Sequence, residues 1–210
     1  MERSLQPELL DRLDPREPAA IQSRRDLRRI DAIMGNSRWL DHRLAQLVRP
    51  GERILELGAG EGARVNRGGQ SWDGLDLCPR PAHWPPGSAW HRQDVREFTE
   101  WSGYPVLFCS LFLHHFSGEE LARLGENLRA HARVVIAAEP LRSRVFQGLF
   151  AALCPLIGAG AVTRHDGHVS IAAGFRGDEL PRQLGFVTAE WQCRQQATLF
   201  GAYHFAAVRA

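Results

Sequence analysis

The chain contains no lysine, so arginine supplies all 26 of its basic residues other than histidine. This absence excludes enzymes that form a Schiff base through a lysine, and it excludes nucleotide-binding loops that need a lysine for phosphate. The formal net charge is only +2, so there is no charge excess that would attract nucleic acid. At 210 residues the chain is expected to form one domain with a sizeable core.

Cysteine is also scarce. The four cysteines, Cys78, Cys109, Cys154 and Cys193, are far apart and form no CxxC pair. Their spacing predicts buried thiols in a reducing compartment, and neither a disulfide framework nor a metal site. The first 18 residues are charged and lack the apolar core of a secretory signal. We therefore expect a cytoplasmic protein without a bound metal.

The sequence has one long apolar run, residues 145–162, in which Gln147 is the single polar side chain. The run is shorter than the ~20 residues that cross a bilayer, and Pro155 and three glycines interrupt it, so we expect no membrane span. Two interpretations stay open: a helix buried in the core, or an apolar lid, inserted at about 141–170, over a substrate pocket. In the second, Phe146 and Phe150 would contact the substrate.

The rest of the chain follows an order of elements that indicates an α/β fold. Residues 1–50 have apolar residues at helical spacing and predict an N-terminal helical cap. Short apolar strands then alternate with loops and helices, and two β-rich runs at the C-terminus predict a hairpin. Over residues 51–210 we expect a Rossmann-like, doubly wound and mostly parallel sheet of seven strands, with an antiparallel last strand. The strands before the hairpin are predicted at 53–58, 72–77, 88–95, 105–113 and 132–140.

A glycine-rich turn follows the first predicted strand, in the stretch ILELGAGEG from residue 54 to residue 62. Glycines let the backbone approach a ligand closely, and a helix that starts after them offers unpaired N–H groups. The dinucleotide pattern GxGxxG fits Gly58 and Gly60 but has Ala63 in its third position, so spacing alone does not decide between ligands. Glu56 and Glu61 flank the loop without a lysine to offset them, which favours a cationic ligand that lacks phosphate.

At this loop the chain resembles class I S-adenosylmethionine-dependent methyltransferases, whose pattern E/D-x-G-x-G-x-G matches residues 56–62. The resemblance implies that the chain binds S-adenosylmethionine, a sulfonium cation without phosphate, and releases S-adenosylhomocysteine. It also implies a set of donor-binding residues along the chain. Those in the loop are Glu56, Gly58, Ala59, Gly60 and Gly62.

The same resemblance assigns donor contacts after the loop. It implies that Asp76 accepts hydrogen bonds from the ribose, with Leu77 beside it, and that Asp94 accepts from the adenine amino group while Val95 packs on the ring. Further donor residues are Ser110 and Leu111 after the fourth strand. On the helix before the first strand, Arg38 would pair with the donor carboxylate, or alternatively is a surface arginine beside a core tryptophan. The interval from Gly58 to Asp76 is short for the family, so residues 63–70 are expected to form a stunted first helix.

Two adjacent histidines, His114 and His115, follow the fourth strand. The stretch LHH is typical of small-molecule methyltransferases similar to those of ubiquinone and menaquinone biosynthesis. Ser117 and Glu120 form an S-x-x-E capping box for a helix predicted at 118–130. A neutral imidazole here can take the proton of a hydroxyl acceptor, and His115 is preferred by its position in the family pattern. The alternative is that the pair only hydrogen-bonds the backbone or shapes the pocket.

A second polar cluster, TRHDGHVS at residues 163–170, follows the apolar run. As a metal site it is weak, because its ligands are adjacent on a predicted loop without a second cluster. As a polar rim of the substrate pocket, it would let His165 or Arg164 touch an oxyanion of the substrate. A solvated loop is the alternative for each of these side chains.

Together these patterns predict methyl transfer from S-adenosylmethionine to a small, lipophilic, phenolic or quinol-type acceptor. Transfer to oxygen is favoured, and C-methylation of a quinol ring is the nearest variant. One alternative is a nucleotide-cofactor oxidoreductase on a Rossmann fold, and another is an inactive donor-binding partner subunit. We expect a monomer or homodimer that binds neither nucleic acid nor membrane, apart from transient contact with a lipophilic substrate.

Overall fold

The computed structural model of the chain describes residues 1–62 and 71–210, and the helix predicted at 63–70 lies outside them. The described residues form one sheet of seven strands in the order β3-β2-β1-β4-β5-β7-β6. Strands β1 to β5 pair in parallel, whereas β7 is antiparallel to both β5 and β6, which confirms the predicted fold class. The strands are β1 Ile54–Leu57, β2 Asp73–Asp76, β3 Trp90–Arg92, β4 Val106–Ser110, β5 Val134–Pro140, β6 Trp191–Ala197 and β7 Ala202–Arg209.

The central strands are buried on both faces, and their side chains alternate between two apolar clusters. One cluster takes Leu107 and Val135, and the other takes their sequence neighbours Val106 and Val134. Successive side chains of a strand point to opposite faces of a sheet, so the two clusters are the cores above and below it. This burial on both sides explains the near-continuous apolar runs of the sequence.

Six α-helices accompany the sheet in the described residues. Gly35 follows the last residue of helix α1, and its φ of +74° lets the chain turn directly into α2. Ser117 and Glu120 form both hydrogen bonds of the predicted capping box at the start of α3. The helices are α1 Pro18–Met34, α2 Asn36–Leu47, α3 Gly118–His131, α4 Arg144–Leu153, α5 Ala161–Ala173 and α6 Glu179–Gln183.

The apolar run of residues 145–162 forms α4 and the start of α5. No residue of α4 is buried, and Val145 and Leu153 are 69% and 54% exposed, so the expectation of a core helix is wrong. Residues 163–170 lie within α5, so the predicted loop there is also wrong. Within residues 1–62 and 71–210, no helix combines the length and the apolar character that crossing a bilayer requires.

Candidate active site

The glycine loop lies where β1 ends, at the carboxyl edge of the parallel strands. Gly58, Gly60 and Gly62 have φ values of +66°, +55° and +65°, in the left-handed region that favours glycine. A Cβ atom on Gly58 would lie 2.2 Å from the ring of Phe112, so only glycine fits there. Among residues 1–62 and 71–210, apart from its two chain neighbours, nothing lies within 4 Å of a Cβ placed on Gly60.

Asp76 ends β2 and connects its carboxylate to the loop. It accepts hydrogen bonds from the amide of Gly60 at 2.7 Å and from the amide of Cys78, also at 2.7 Å. The next residue, Leu77, is 65% exposed. The loop therefore has an acid on one side and an uncovered apolar side chain next to it.

The two acids that flank the loop both have partners, which weakens the charge argument made from the sequence. Glu56 is buried and accepts a hydrogen bond from the indole N–H of Trp72 at 2.8 Å. Glu61 forms ion pairs with Arg24 at 3.1 Å and Arg28 at 3.5 Å, both on α1. The negative charge beside the loop is thus partly offset by arginines that the local sequence pattern did not reveal.

Asp94 and Val95, which the sequence predicts to contact adenine, lie in the short turn that follows β3. Asp94 accepts from both Nε and a terminal nitrogen of Arg96, at 3.0 and 2.6 Å. The side-chain hydrogen bond from Arg96 lowers the pKa of Asp94. Val95 is 6% exposed and belongs to the core, so its side chain is not an open surface for a ring. Leu77 is the more exposed apolar side chain at this end of the sheet.

In the described part of the chain, the one non-glycine residue with a positive φ lies just after β4. Leu111 has a φ of +54°, and its amide donates to the carbonyl of Ala138 at 2.8 Å. Left-handed backbone at a leucine costs free energy and is most often retained at functional sites. Ser110 is the last residue of β4 and is half-buried, while Arg38 is exposed on α2.

His114 is held between two carboxylates. Its Nδ1 is 2.7 Å from Oε2 of the fully buried Glu139, and its Nε2 is 3.4 Å from Oε1 of Glu8. Glu139 also accepts from the amides of Phe112 and Leu113, at 3.0 and 2.8 Å. Burial alone would lower the pKa of His114, but the hydrogen bonds of the two glutamates outweigh burial and raise the pKa to about 9.

His115 is exposed and lies beside His114, with ring centroids 4.2 Å apart. Desolvation by its neighbours and the positive charge of His114 lower the pKa of His115 from its usual value. Both rings line a cavity of about 400 Å³. The cavity is bounded by Leu5, Gln6, Pro7, Glu8, Asp11, His114, His115, Val169, Ser170 and Ala173.

The four side chains predicted to touch a substrate are not among the residues that line this cavity. Arg164 and His165 are exposed on α5, and Nδ1 of His165 is 3.0 Å from Oδ1 of Asp166. Phe150 packs so closely on α5 that a Cβ on Gly167 would lie 2.1 Å from its ring, and Phe146 lies against Gly201. The cavity takes its α5 wall from Val169, Ser170 and Ala173 instead.

Sequence reasoning missed two acids of the cavity region. Glu139 is an acid at the end of an otherwise apolar strand, and a charge in a buried strand is a signal that could have identified it. Glu8 has no such signal, because only the folded chain brings it next to His114, 106 positions further along.

No protein-family model matches the chain, and no curated protein matches it by sequence. Solved structures do match. The plantazolicin methyltransferase BamL, in complex with a triazolic desmethylPZN analog and SAH, is 7% identical, with a TM-score of 0.68 over 95% of this chain and 92% of that one. The plantazolicin methyltransferase BpumL in complex with SAH is 10% identical, with a TM-score of 0.65 over 92% and 91%.

Another match is the magnesium protoporphyrin IX methyltransferase ChlM from Synechocystis PCC 6803 with bound SAM. It is 14% identical, with a TM-score of 0.52 over 99% of this chain and 86% of that one. At such low identities the likeness concerns the fold. The chain has the Rossmann-like fold of these class I methyltransferases, which agrees with its own seven-stranded sheet and antiparallel β7.

Proposed function

We propose that the chain transfers a methyl group from S-adenosylmethionine to a small, lipophilic, phenolic or quinol-type acceptor, with the acceptor oxygen as the favoured site. The observation that carries the proposal is the left-handed glycine loop, joined through Gly60 to Asp76, on the same edge of the sheet as the His115 cavity. We expect a cytoplasmic monomer or homodimer.

The loop fits an adenosyl compound. No side chain of residues 1–62 or 71–210 would crowd a ligand at the Gly60 backbone, and the Asp76 carboxylate, hydrogen-bonded to the Gly60 amide, would accept the two ribose hydroxyls. Exposed Leu77 offers an apolar surface for the adenine ring. When bound there, S-adenosylmethionine supplies a methyl group that is already activated by the positive sulfur, so the chain needs mainly to align the acceptor and exclude water.

The acceptor proton distinguishes the two histidines. A phenol has a pKa of ~10 and keeps its proton at neutral pH. His114 has a carboxylate at each ring nitrogen, which raises its pKa to about 9 and keeps both nitrogens protonated at neutral pH. It therefore cannot act as the base. His115 has a lowered pKa, is neutral at pH 7 and lines the cavity, so it is the proposed general base, for a gain of roughly 10²–10⁴-fold in rate.

The cavity lining supports an acceptor with an apolar body and a polar head. Leu5, Pro7 and Val169 contribute apolar surface, whereas Glu8 and Asp11 contribute charge. The carboxylates would also accept hydrogen bonds from an amine, so a cationic amine acceptor is the second candidate. Its N-methylation would use the same donor site and the same base.

The test is a product assay with the purified chain, S-adenosylmethionine and matched panels of phenols, quinols and amines of similar size. We expect a mass increase of one methyl group on a phenol or quinol, together with S-adenosylhomocysteine. Methylated amines with unreacted phenols would overturn the acceptor class and leave methyl transfer in place. Donor binding without turnover on any acceptor would favour an inactive partner subunit, and oxidation of an acceptor with NAD or NADP would favour the oxidoreductase.

A further inference from the structure

The N-terminal segment, residues 1–13, crosses the mouth of the candidate site, and Arg3 attaches it there. The Arg3 side chain donates to the carbonyl oxygens of Phe116 at 2.8 Å, His114 at 3.2 Å and Ala173 at 2.7 Å. One side chain thus ties the segment to the turn that carries the histidines and to the end of α5. The guanidinium also lies over the ring of Phe175, 4.6 Å from its centroid.

Asp166 of α5 holds the segment at a second place. This carboxylate is 1% exposed and accepts hydrogen bonds from the amides of Leu9 and Leu10, at 2.7 and 2.9 Å. Between Arg3 and Leu9 the amide of Ser4 donates to the carbonyl of Ala172 at 3.1 Å. A buried carboxylate without partners would be strongly destabilising, so the two amides that Asp166 accepts from are held firmly in place. The segment is therefore fixed against α5 rather than trailing in solvent.

The residues between these attachments form one wall of the cavity over His115. Leu5, Pro7 and Glu8 belong to this wall, and Asp11, just after the second attachment, extends it. Glu8 has the most specific contacts: it accepts a hydrogen bond from the hydroxyl of Ser170, and its Oε1 lies 3.4 Å from Nε2 of His114. Its side chain is 12% exposed, so it acts in a partly desolvated setting.

From this geometry we propose that the N-terminal segment completes the acceptor site: it closes the cavity over His115, and Glu8 is a positioning residue that holds His114 in its charged form. The inference rests on the proposed function in one respect, that the cavity receives the methyl acceptor. Glu8 touches neither donor nor acceptor in this account, since it acts through His114.

The electrostatic consequence concerns His115. His114 is held in its charged form by Glu139 at one nitrogen and Glu8 at the other, and this charge disfavours protonation of His115, whose ring centroid is 4.2 Å away. Desolvation and the charge of His114 lower the pKa of His115 by more than three acids, Glu8, Glu139 and Asp166, raise it. Asp11 also faces this cluster, and Glu8 and Asp166 help burial to raise its pKa. The outcome is a neutral imidazole at the cavity.

The first experiment needs no acceptor. The ring signals of His114 and His115 are followed by NMR against pH in the full chain, and in Glu8→Gln and Glu2→Gln variants, with a His115→Gln variant for assignment. Glu2 is exposed on the same segment, so its variant is the matched control. Glu8→Gln should lower the titration midpoint of His114 by about one pH unit or more, because an opposite charge within hydrogen-bond range is lost. Glu2→Gln should leave it unchanged.

An unchanged His114 midpoint in Glu8→Gln would overturn the positioning role. So would a shift of the wild-type signals on adding a chelator, because it would show that a metal ion, and not Glu8, occupies the Nε2 side of His114. Neither outcome depends on whether an acceptor has been found, so failure of this inference is distinct from failure of the proposed function.

The second experiment tests closure of the cavity by filling it. Leu5→Trp adds volume to the N-terminal wall, and Leu199→Trp, at a residue 90% exposed on the turn between β6 and β7, is the control. With a phenol from the panel as probe, Leu5→Trp should raise KM at least about tenfold, equivalent to about 1.4 kcal/mol, while the Kd for S-adenosylhomocysteine stays within twofold. An unchanged KM in Leu5→Trp would overturn the acceptor-site assignment, and weakened donor binding would place the segment on the donor instead.

Discussion

The carboxylate of Asp76 accepts a hydrogen bond from the Gly60 amide at 2.7 Å, and this contact ties the loop after β1 to the end of β2. One residue thereby serves two purposes in our account: it fixes the shape of the loop and faces the ribose of the donor. Because a carboxylate has about four acceptor positions, Asp76 can keep the hydrogen bond from the Gly60 amide and still accept hydrogen bonds from hydroxyl groups.

Asp76→Asn should weaken the binding of S-adenosylhomocysteine about tenfold or more. The amide has one acceptor oxygen in place of two and no charge, and a hydrogen bond to a charged group is worth about 1.5–3 kcal/mol. Isothermal titration calorimetry measures the effect, with Glu126→Gln on the exposed face of α3 as control. Wild-type affinity in Asp76→Asn would rule out the ribose role.

The open space at Gly60 gives a second prediction. Gly60 and Gly51 both have positive φ, and at each of them a Cβ atom would meet no described residue within 4 Å other than the chain neighbours. Gly60→Ala and Gly51→Ala should therefore cost similar folding free energy, about 1–2 kcal/mol. Only Gly60→Ala should weaken donor binding in a calorimetric titration, because its methyl group enters the donor's space. Equal donor affinity in the two variants would show that this space is not used.

Leu111 should reverse the ordinary ranking of alanine and glycine. In the middle of a helix or strand, a glycine variant is less stable than the alanine variant by roughly 0.5–1 kcal/mol. At Leu111 the φ of +54° favours glycine instead. We expect Leu111→Gly to be more stable than Leu111→Ala by about 1 kcal/mol in urea denaturation. At Leu149, within α4, the same pair of changes should follow the usual order. The usual order at both positions would mean that Leu111 is not strained.

The stability of the chain should fall as pH rises from about 6.5 to about 9. The folded pKa of His114 is about 9, above its unfolded value, so its contribution is complete below about pH 6.5 and is lost as pH passes the folded value. The slope from this one proton is at most about 1.4 kcal/mol per pH unit. Denaturation curves across this range, in metal-free buffer, measure it.

Glu139→Gln should flatten that slope, since it removes the closer of the two carboxylates, whereas Glu97→Gln on the surface should not. If Glu139→Gln is too unstable to measure, Glu8→Gln should flatten the slope to a smaller degree. A slope that persists in both variants would assign the pH dependence to other groups.

Local sequence patterns predict the sheet, because a strand buried on both faces is a short apolar run and a glycine turn is a short glycine pattern. The capping box of Ser117 and the loop around Gly60 were predicted for the same reason. The pairing of Glu61 with Arg24 was not, since it joins a helix and a loop 37 positions apart by chain number. The net negative charge at the loop is therefore smaller than the loop sequence alone indicates.

The site was predicted less completely than the fold. The pattern LHH identified the two histidines, but their different protonation depends on Glu139 and Glu8, which only the folded chain brings to His114. The apolar composition of α4 could not show whether a partner covers it, and the structure leaves it exposed. The glycine and polar residues of 163–170 suggested a loop, and packing against α4 and α1 makes it a helix.

Calorimetric titration of the purified chain with S-adenosylhomocysteine and, separately, with NAD tests the central claim most directly. Our account predicts one molecule of S-adenosylhomocysteine bound per chain with a micromolar Kd, equivalent to about −8 kcal/mol, and no heat from NAD. Binding of NAD in the absence of S-adenosylhomocysteine binding would contradict it.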